Sequence, residues 1–247
     1  QNRREHAWRL ASAIANLLLL FLTLAALLAM LFAPQIVRHG LFVITPGQAA
    51  GQEALTIRLL RIMLPSVIIF GLSGLVMGIL NAHQKFWLPA IAPAMYSLGQ
   101  IAGIWFLPVE MGIDRLAWGA LAGAGLHFLV QMPGMLRLKG RYSATLGIKN
   151  SDVREVIRLM GPRILGVAVV QVNFIVNIII GLSLPAGSVS ALSLAFTWML
   201  MPQAAIAQSV AIAAMPTFSA QAALGKMAEM RSSLASSLRG VLLLALP

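Results

Sequence analysis

Few side chains in this sequence can do chemistry, and those that can lie in or beside long apolar runs. Gln171, Asn173 and Asn177 fall inside Ile164 to Gly225, a stretch of 62 residues without Asp, Glu, Lys, Arg or His. Amides in lipid must find hydrogen-bond partners. Asn173 and Asn177 are four apart and share a helix face, while Gln171 points elsewhere. Interhelical bonding and the lining of a polar cavity are both open for this pair. Arg58, Arg61 and Arg163 sit at the mouths of apolar runs. Guanidinium groups there either snorkel to lipid phosphates or bind a pyrophosphate, whose geometry they match.

Other chemistry is missing. His127 and Gln131 are four apart, but a lone histidine without a second histidine or a carboxylate is a poor metal ligand set, so structural hydrogen bonding is expected. The sequence holds no HExxH, no GxSxG and no P-loop lysine motif. No carboxylate falls inside an apolar run, where an ion-coupled pump commonly places one. No cysteine is present, which excludes thiolate chemistry and a disulfide framework. No catalytic group, metal or cofactor is expected.

The elements that must position these residues are helices in a bilayer. Charged residues make up 10% of the 247, against about 25% in a soluble domain. Mean hydropathy is +0.86. A span needs about 20 apolar residues, and the runs divide accordingly: Leu10–Ala33, Ile62–Leu80, Phe86–Leu107, Leu116–Leu136, and two spans within Ile164–Gly225. Leu184-Pro185-Ala186-Gly187-Ser188 is the hairpin between those two. Pro202 bends the second of them. Gly240 to Leu246 opens a further run. The fold expected is all-α: a polytopic bundle of six complete spans and a truncated seventh, cut from a longer membrane protein.

Gly74 with Gly78, and Gly99 with Gly103, are small residues at the spacing that lets helix backbones approach. Trp8, Trp87 and Trp105 lie near span ends, as interface anchors do. Pro34 ends the first run, and the stretch from there to Gln52, with Gly40, Pro46, Gly47 and Gly51, reads as a loop.

Arg137 to Arg163 is the long polar stretch, with seven basic residues. Val153, Val156, Ile157 and Met160 recur in it at helical spacing, which predicts an amphipathic helix on the membrane surface. It divides the chain into residues 1–136 (four spans), a basic linker 137–160, and residues 161–247 (two spans and the truncated third). With Gln1 in the cytoplasm, fourteen of the 18 Lys and Arg fall on the cytoplasmic side and four on the other. The positive-inside rule therefore places Gln1 and the linker in the cytoplasm. The net charge of +11 lies between apolar runs, so anionic headgroups and an anionic lipid-linked substrate are the expected partners, rather than nucleic acid.

Gly78-Ile79-Leu80-Asn81-Ala82-His83-Gln84-Lys85-Phe86-Trp87-Leu88-Pro89-Ala90-Ile91-Ala92-Pro93 resembles the "G-x-L-N-A-x-x-x-F-x-x-P-A-x-x-P" passage of the MurJ/MviN family of lipid II flippases. Arg158-Leu159-Met160-Gly161-Pro162-Arg163 is similar to it as well, and so is Gly187-Ser188-Val189-Ser190-Ala191-Leu192 with Ala195, Pro202 and Ala214-Met215-Pro216-Thr217-Phe218-Ser219. The resemblance implies a partial MATE-like two-lobe fold, spanning the third helix to the start of the ninth, around a cavity that opens alternately to either side. It implies a non-enzymatic transporter moving an undecaprenyl-pyrophosphate-linked peptidoglycan precursor across the bacterial inner membrane. Cell-wall synthesis proteins are the remaining partner class.

Two positions depart from the family pattern. Thr197 stands where the family usually has an arginine linked to lipid II transport, and Ser97 where it often has asparagine. Asn173, Asn177, Thr197 and Gln208 are the substrate-path candidates. Export of another lipid-linked saccharide or a drug, and a non-transporting cell-wall scaffold, are the alternative readings.

Overall fold

The computed structural model describes residues 2–41, 52–182, 184–185 and 187–245. Pro46, Gly47 and Gly51 of the predicted loop, and Ala186 of the hairpin, lie outside them. Every regular element among the described residues is helical. In chain order these are α1 (Asn2–Leu31), α2 (Ala33–Gln35), α3 (Glu53–Ala82), α4 (Trp87–Phe106), α5 (Asp114–Leu129), α6 (Met132–Arg137), α7 (Ser151–Leu182), α8 (Ser188–Pro202), α9 (Ser209–Ala223) and α10 (Met227–Ala245). A π-helical turn, Ile36–Leu41, follows α2, a 3-10 turn, Val109–Met111, lies between α4 and α5, and a second π turn, Gln203–Gln208, joins α8 to α9.

Four stretches among the described residues are long and apolar enough to cross a membrane: Glu5–Leu31, Glu53–Ala82, Ser151–Gly181 and Ser188–Ala223. The sequence predicted more. α4 is 20 residues long but carries Pro89, Pro93, Tyr96 and Gln100, and α5 ends after 16 residues where Val130 and Gln131 interrupt the helix before α6. α7 differs too. The amphipathic turns at 153–160 are not a separate element, because they run without a break into the apolar run beyond Pro162. Leu20, Phe21, Leu24 and Leu27 of α1 are exposed, as they must be if lipid is the solvent.

The chain forms two compact units, residues 1–170 and 171–247. In the first, α4 and α5 make the tightest seam. Gly99 and Gly103 face Gly119 and Gly123, and a Cβ on Gly99 would lie 2.2 Å from the Gly123 Cα. Only hydrogen fits there, so the two backbones touch. Gly74 and Gly78 behave otherwise, with nothing within 4 Å of a built Cβ. Their small-residue pair packs no helix among the described residues. The buried cluster of Val76, Leu80 and Leu138 sits at the Trp8 end of this unit, with Trp8, Leu88, Phe128 and Met132 around it.

The linker is tied to α1. Tyr142 Oη donates to Asn16 Oδ1 at 2.7 Å, and Asn16 Nδ2 donates to the carbonyls of Ser143 (3.3 Å) and Thr145 (2.8 Å). Ser143 N donates to Ser12 Oγ at 3.2 Å, and His6 meets Asp152 at 2.5 Å. Polar groups on one face of α1 thus satisfy a strap that has no ladder of its own.

In the second unit, Gly187 holds φ +96° at the start of α8, a left-handed conformation suited to glycine. Gly225, at φ +70°, ends α9: Lys226 N bonds the Gln221 carbonyl at 2.9 Å and Gly225 N the Ala222 carbonyl at 3.0 Å, a Schellman-type close. Phe174 of α7 meets Phe196 of α8 edge to face, with centroids 5.8 Å apart. Pro202 lies at the junction of α8 and the π turn. Its missing N–H and bulky ring account for the register change there.

Candidate functional site

A cationic cleft that holds two of the predicted arginines lies at the Leu31 end of α1. Ala54, Ile57, Arg58, Arg61, Ile62 and Pro65 form one face of α3, at the i, i+3, i+4 spacing of a helix. The π turn brings Arg38 to that face, and Trp118 and Leu121 of α5 close the other side. The result is an open cleft of about 670 Å³ with three guanidinium groups around an apolar floor.

Two of these cations are paired. Arg38 forms an ion pair with Glu53, and Arg58 Nη2 lies 3.0 Å from Asp114 Oδ2. The third, Arg61, donates from Nε to the Met30 carbonyl at 3.2 Å, capping the last turn of α1. Three guanidiniums against two carboxylates leave the cleft with an excess positive charge. Arg38 and Glu53 are 62% and 34% exposed, so their pair contributes ~1 kcal/mol or less, whereas the Asp114 side chain that holds Arg58 is only 14% exposed. A phosphate with several acceptor oxygens can displace the Arg38–Glu53 contact cheaply. Asp114 holds Arg58 through Oδ2 alone; its Oδ1 is buried with no hydrogen-bond partner among the described residues.

The other predicted residues are spread out. Asn173 and Asn177 do meet on α7: Asn177 Nδ2 donates to the Asn173 carbonyl and to its Oδ1, both at 3.0 Å. Thr197 Oγ1 donates to the Ser193 carbonyl of its own helix at 2.8 Å. Gln208 ends the π turn and is exposed. Among the described residues no hydrogen bond joins these two to the asparagines, although Phe174 and Phe196, one position from Asn173 and Thr197, are in contact. Arg163 is exposed on α7, with no ion pair among the described residues. No cluster of three His, Asp or Glu that could hold a metal ion occurs among the described residues.

A buried polar group was only half legible in the sequence. Gln131 Nε2 donates to Ser73 Oγ at 2.7 Å and to the His127 carbonyl at 2.9 Å. Ser73 Oγ lies 2.7 Å from His127 Nδ1. The hydroxyl accepts from the amide and donates to the imidazole, which assigns the ring proton to Nε2. The His127–Gln131 pair follows from helical spacing. Ser73 comes from another helix, and its signal was the i, i+3, i+7 stripe it forms with Val76 and Leu80. Asn16 and Ser12, which anchor the linker, were also missed; polar residues at i and i+4 near the start of an apolar span were the available cue.

Long exposed apolar helices, glycine-packed seams, buried amides and arginines at helix ends define a multi-pass α-helical membrane protein. Comparison with known proteins narrows that class. The family model described as lipid II flippase MurJ matches residues 1–247, and the chain belongs to that family. It is similar to a probable lipid II flippase MurJ of Bdellovibrio bacteriovorus, 32% identical over 217 residues, which cover 87% of this chain and 41% of that protein. The lipid II flippase MurJ of Burkholderia cenocepacia is 30% identical over 187 residues, covering 72% and 36%. A probable lipid II flippase MurJ of Buchnera aphidicola subsp. Schizaphis graminum is 26% identical over 248 residues, covering 99% and 48%. The chain thus spans less than half the length of these relatives.

Proposed function

We propose that the protein to which this chain belongs is a flippase, moving the undecaprenyl-pyrophosphate-linked peptidoglycan precursor lipid II across the bacterial inner membrane. The observation that carries this reading is the family match over all 247 residues. The activity is transport rather than bond-making. α4 and the α5–α6 pair cross the bilayer as one glycine-seamed unit, which with the four long spans makes six, and α10 begins a seventh. Residues 1–136 belong to one lobe and 161–247 to the other. Gln1 and the linker are cytoplasmic.

The arginine cleft then faces the opposite side of the membrane. Arg58 and Arg61 draw the pyrophosphate there with guanidinium groups that match its geometry, and Arg163 attracts it at the cytoplasmic mouth. Asn173, Asn177, Thr197 and Gln208 line the path of the sugar–peptide head. The lobes alternate around this path while the prenyl chain stays in lipid. Thr197, in place of the family's arginine, favours a second reading, an exporter of a different lipid-linked saccharide.

Reconstitution tests the two readings. Full-length protein in vesicles should expose headgroup-labelled lipid II to an impermeant quencher faster than protein-free vesicles do. Equal rates overturn the proposal. Movement of another lipid-linked saccharide but not of lipid II selects the second reading.

A further inference from the structure

At the other end of α1, an apolar slot and a basic mouth adjoin. The slot, about 320 Å³, runs between α1 and α3; Trp8, Ala11 and Ala15 form one wall, Leu75 and Ile79 the other. The mouth, about 390 Å³, carries Arg9, Lys139 and Arg141 against the single acid Glu5. Trp8 and Tyr142 line both spaces, so the two are adjacent. The three cations make no ion pair among the described residues, unlike Arg38 and Arg58 at the far end.

The mouth is held in shape. Lys139 takes a left-handed turn, φ +50°, immediately after α6, and Gly140 lies so close to the Trp8 ring that a Cβ would come within 2.3 Å of it. The strap to Asn16 fixes Tyr142. The residues lining the slot span two helical turns, about 10 Å along the axis. An amphipathic indole at the rim, unpaired cations above and an apolar slot below match a phosphate headgroup with an acyl chain.

We propose that this slot and mouth bind one anionic glycerophospholipid, with its phosphate on Arg9, Lys139 and Arg141 and the first part of an acyl chain beside Trp8. The site is separate from the Arg38–Arg58–Arg61 cleft and does not depend on the cargo that the protein carries.

Native mass spectrometry of the full-length protein, given equal phosphatidylglycerol and phosphatidylcholine, tests it. Three cations at an anionic headgroup predict a preference for phosphatidylglycerol of about tenfold or more. The R9Q/K139Q/R141Q variant should bring the ratio close to one, at an unchanged lipid-free melting temperature. Lys149→Gln with Arg154→Gln, basic residues of the same region outside the mouth, should leave the preference intact. Ala15→Phe, which fills the slot, should reduce retention of both lipids. Wild-type retention by both the triple variant and Ala15→Phe overturns the proposal, as when another segment of the longer protein fills the slot. When a polyprenyl phosphate is added at equal concentration, its retention in place of phosphatidylglycerol overturns the proposal as well.

Discussion

Gly99→Ala puts the α4–α5 seam to a sharp test. A Cβ there would stand 2.2 Å from Gly123 Cα and 2.4 Å from Gly123 N. Relaxed carbon contacts lie near 3.5–4.0 Å, so the helices must part by roughly 1.5 Å. The obstacle is backbone, not a side chain that can swing away. Overpacking of this kind costs about 3 kcal/mol at its upper end, while replacing glycine by alanine in a helix returns about 1 kcal/mol. The net expectation is a loss of about 2 kcal/mol. Gly125→Ala is the control, because Gly125 lies on α5 with nothing within 4 Å of a built Cβ. It should be neutral or stabilising by up to ~1 kcal/mol. Thermal unfolding of the full-length protein in detergent measures both. Gly99→Ala as stable as wild type, or both alanines equally costly, refutes the seam.

Three further perturbations address other parts of the molecule. Ser73→Ala removes the hydroxyl between Gln131 and His127 and should cost about 1–3 kcal/mol in the same unfolding assay, because two buried groups lose a partner. Ser66→Ala, whose hydroxyl bonds only the Met63 carbonyl of its own helix among the described residues, should stay within ~0.5 kcal/mol. The chain has no cysteine, so Lys149→Cys and Val109→Cys, in a full-length protein stripped of other cysteines, report orientation: an impermeant maleimide added to intact cells should label only Val109→Cys. Labelling of Lys149→Cys alone inverts the topology. Replacing both Arg58 and Arg61 with Gln should slow lipid II translocation about tenfold or more, as charge-assisted bonds to phosphate are lost. Unchanged transport makes these arginines mere headgroup anchors.

Periodicity carried much of the fold, because lipid-facing helices repeat their apolar residues without interruption. The α4–α5 seam was partly visible as Gly99 and Gly103. Gly74 and Gly78 show the same spacing yet pack nothing among the described residues, since spacing marks where a helix can approach and not whether one does. The continuity of α7 was hidden. An amphipathic segment and an apolar span share one helical period, and Pro162 is accommodated inside the helix without ending it. Pairings distant in sequence were illegible for a different reason. Asn16 meets Ser143 and Thr145, and Ser73 meets Gln131, only because tertiary packing brings separate helices and the strap together. In the same way Arg58 and Arg61 were found by their place at a span mouth, while Arg38 joined them through a π turn that no local pattern announces.

Complementation tests directly whether the protein moves lipid II. The full-length gene is expressed in cells depleted of their own lipid II flippase, and growth and periplasmic exposure of lipid II are followed. A lipid II flippase restores both. Normal expression in the membrane, with no exposure of lipid II and continued lysis, would contradict that activity.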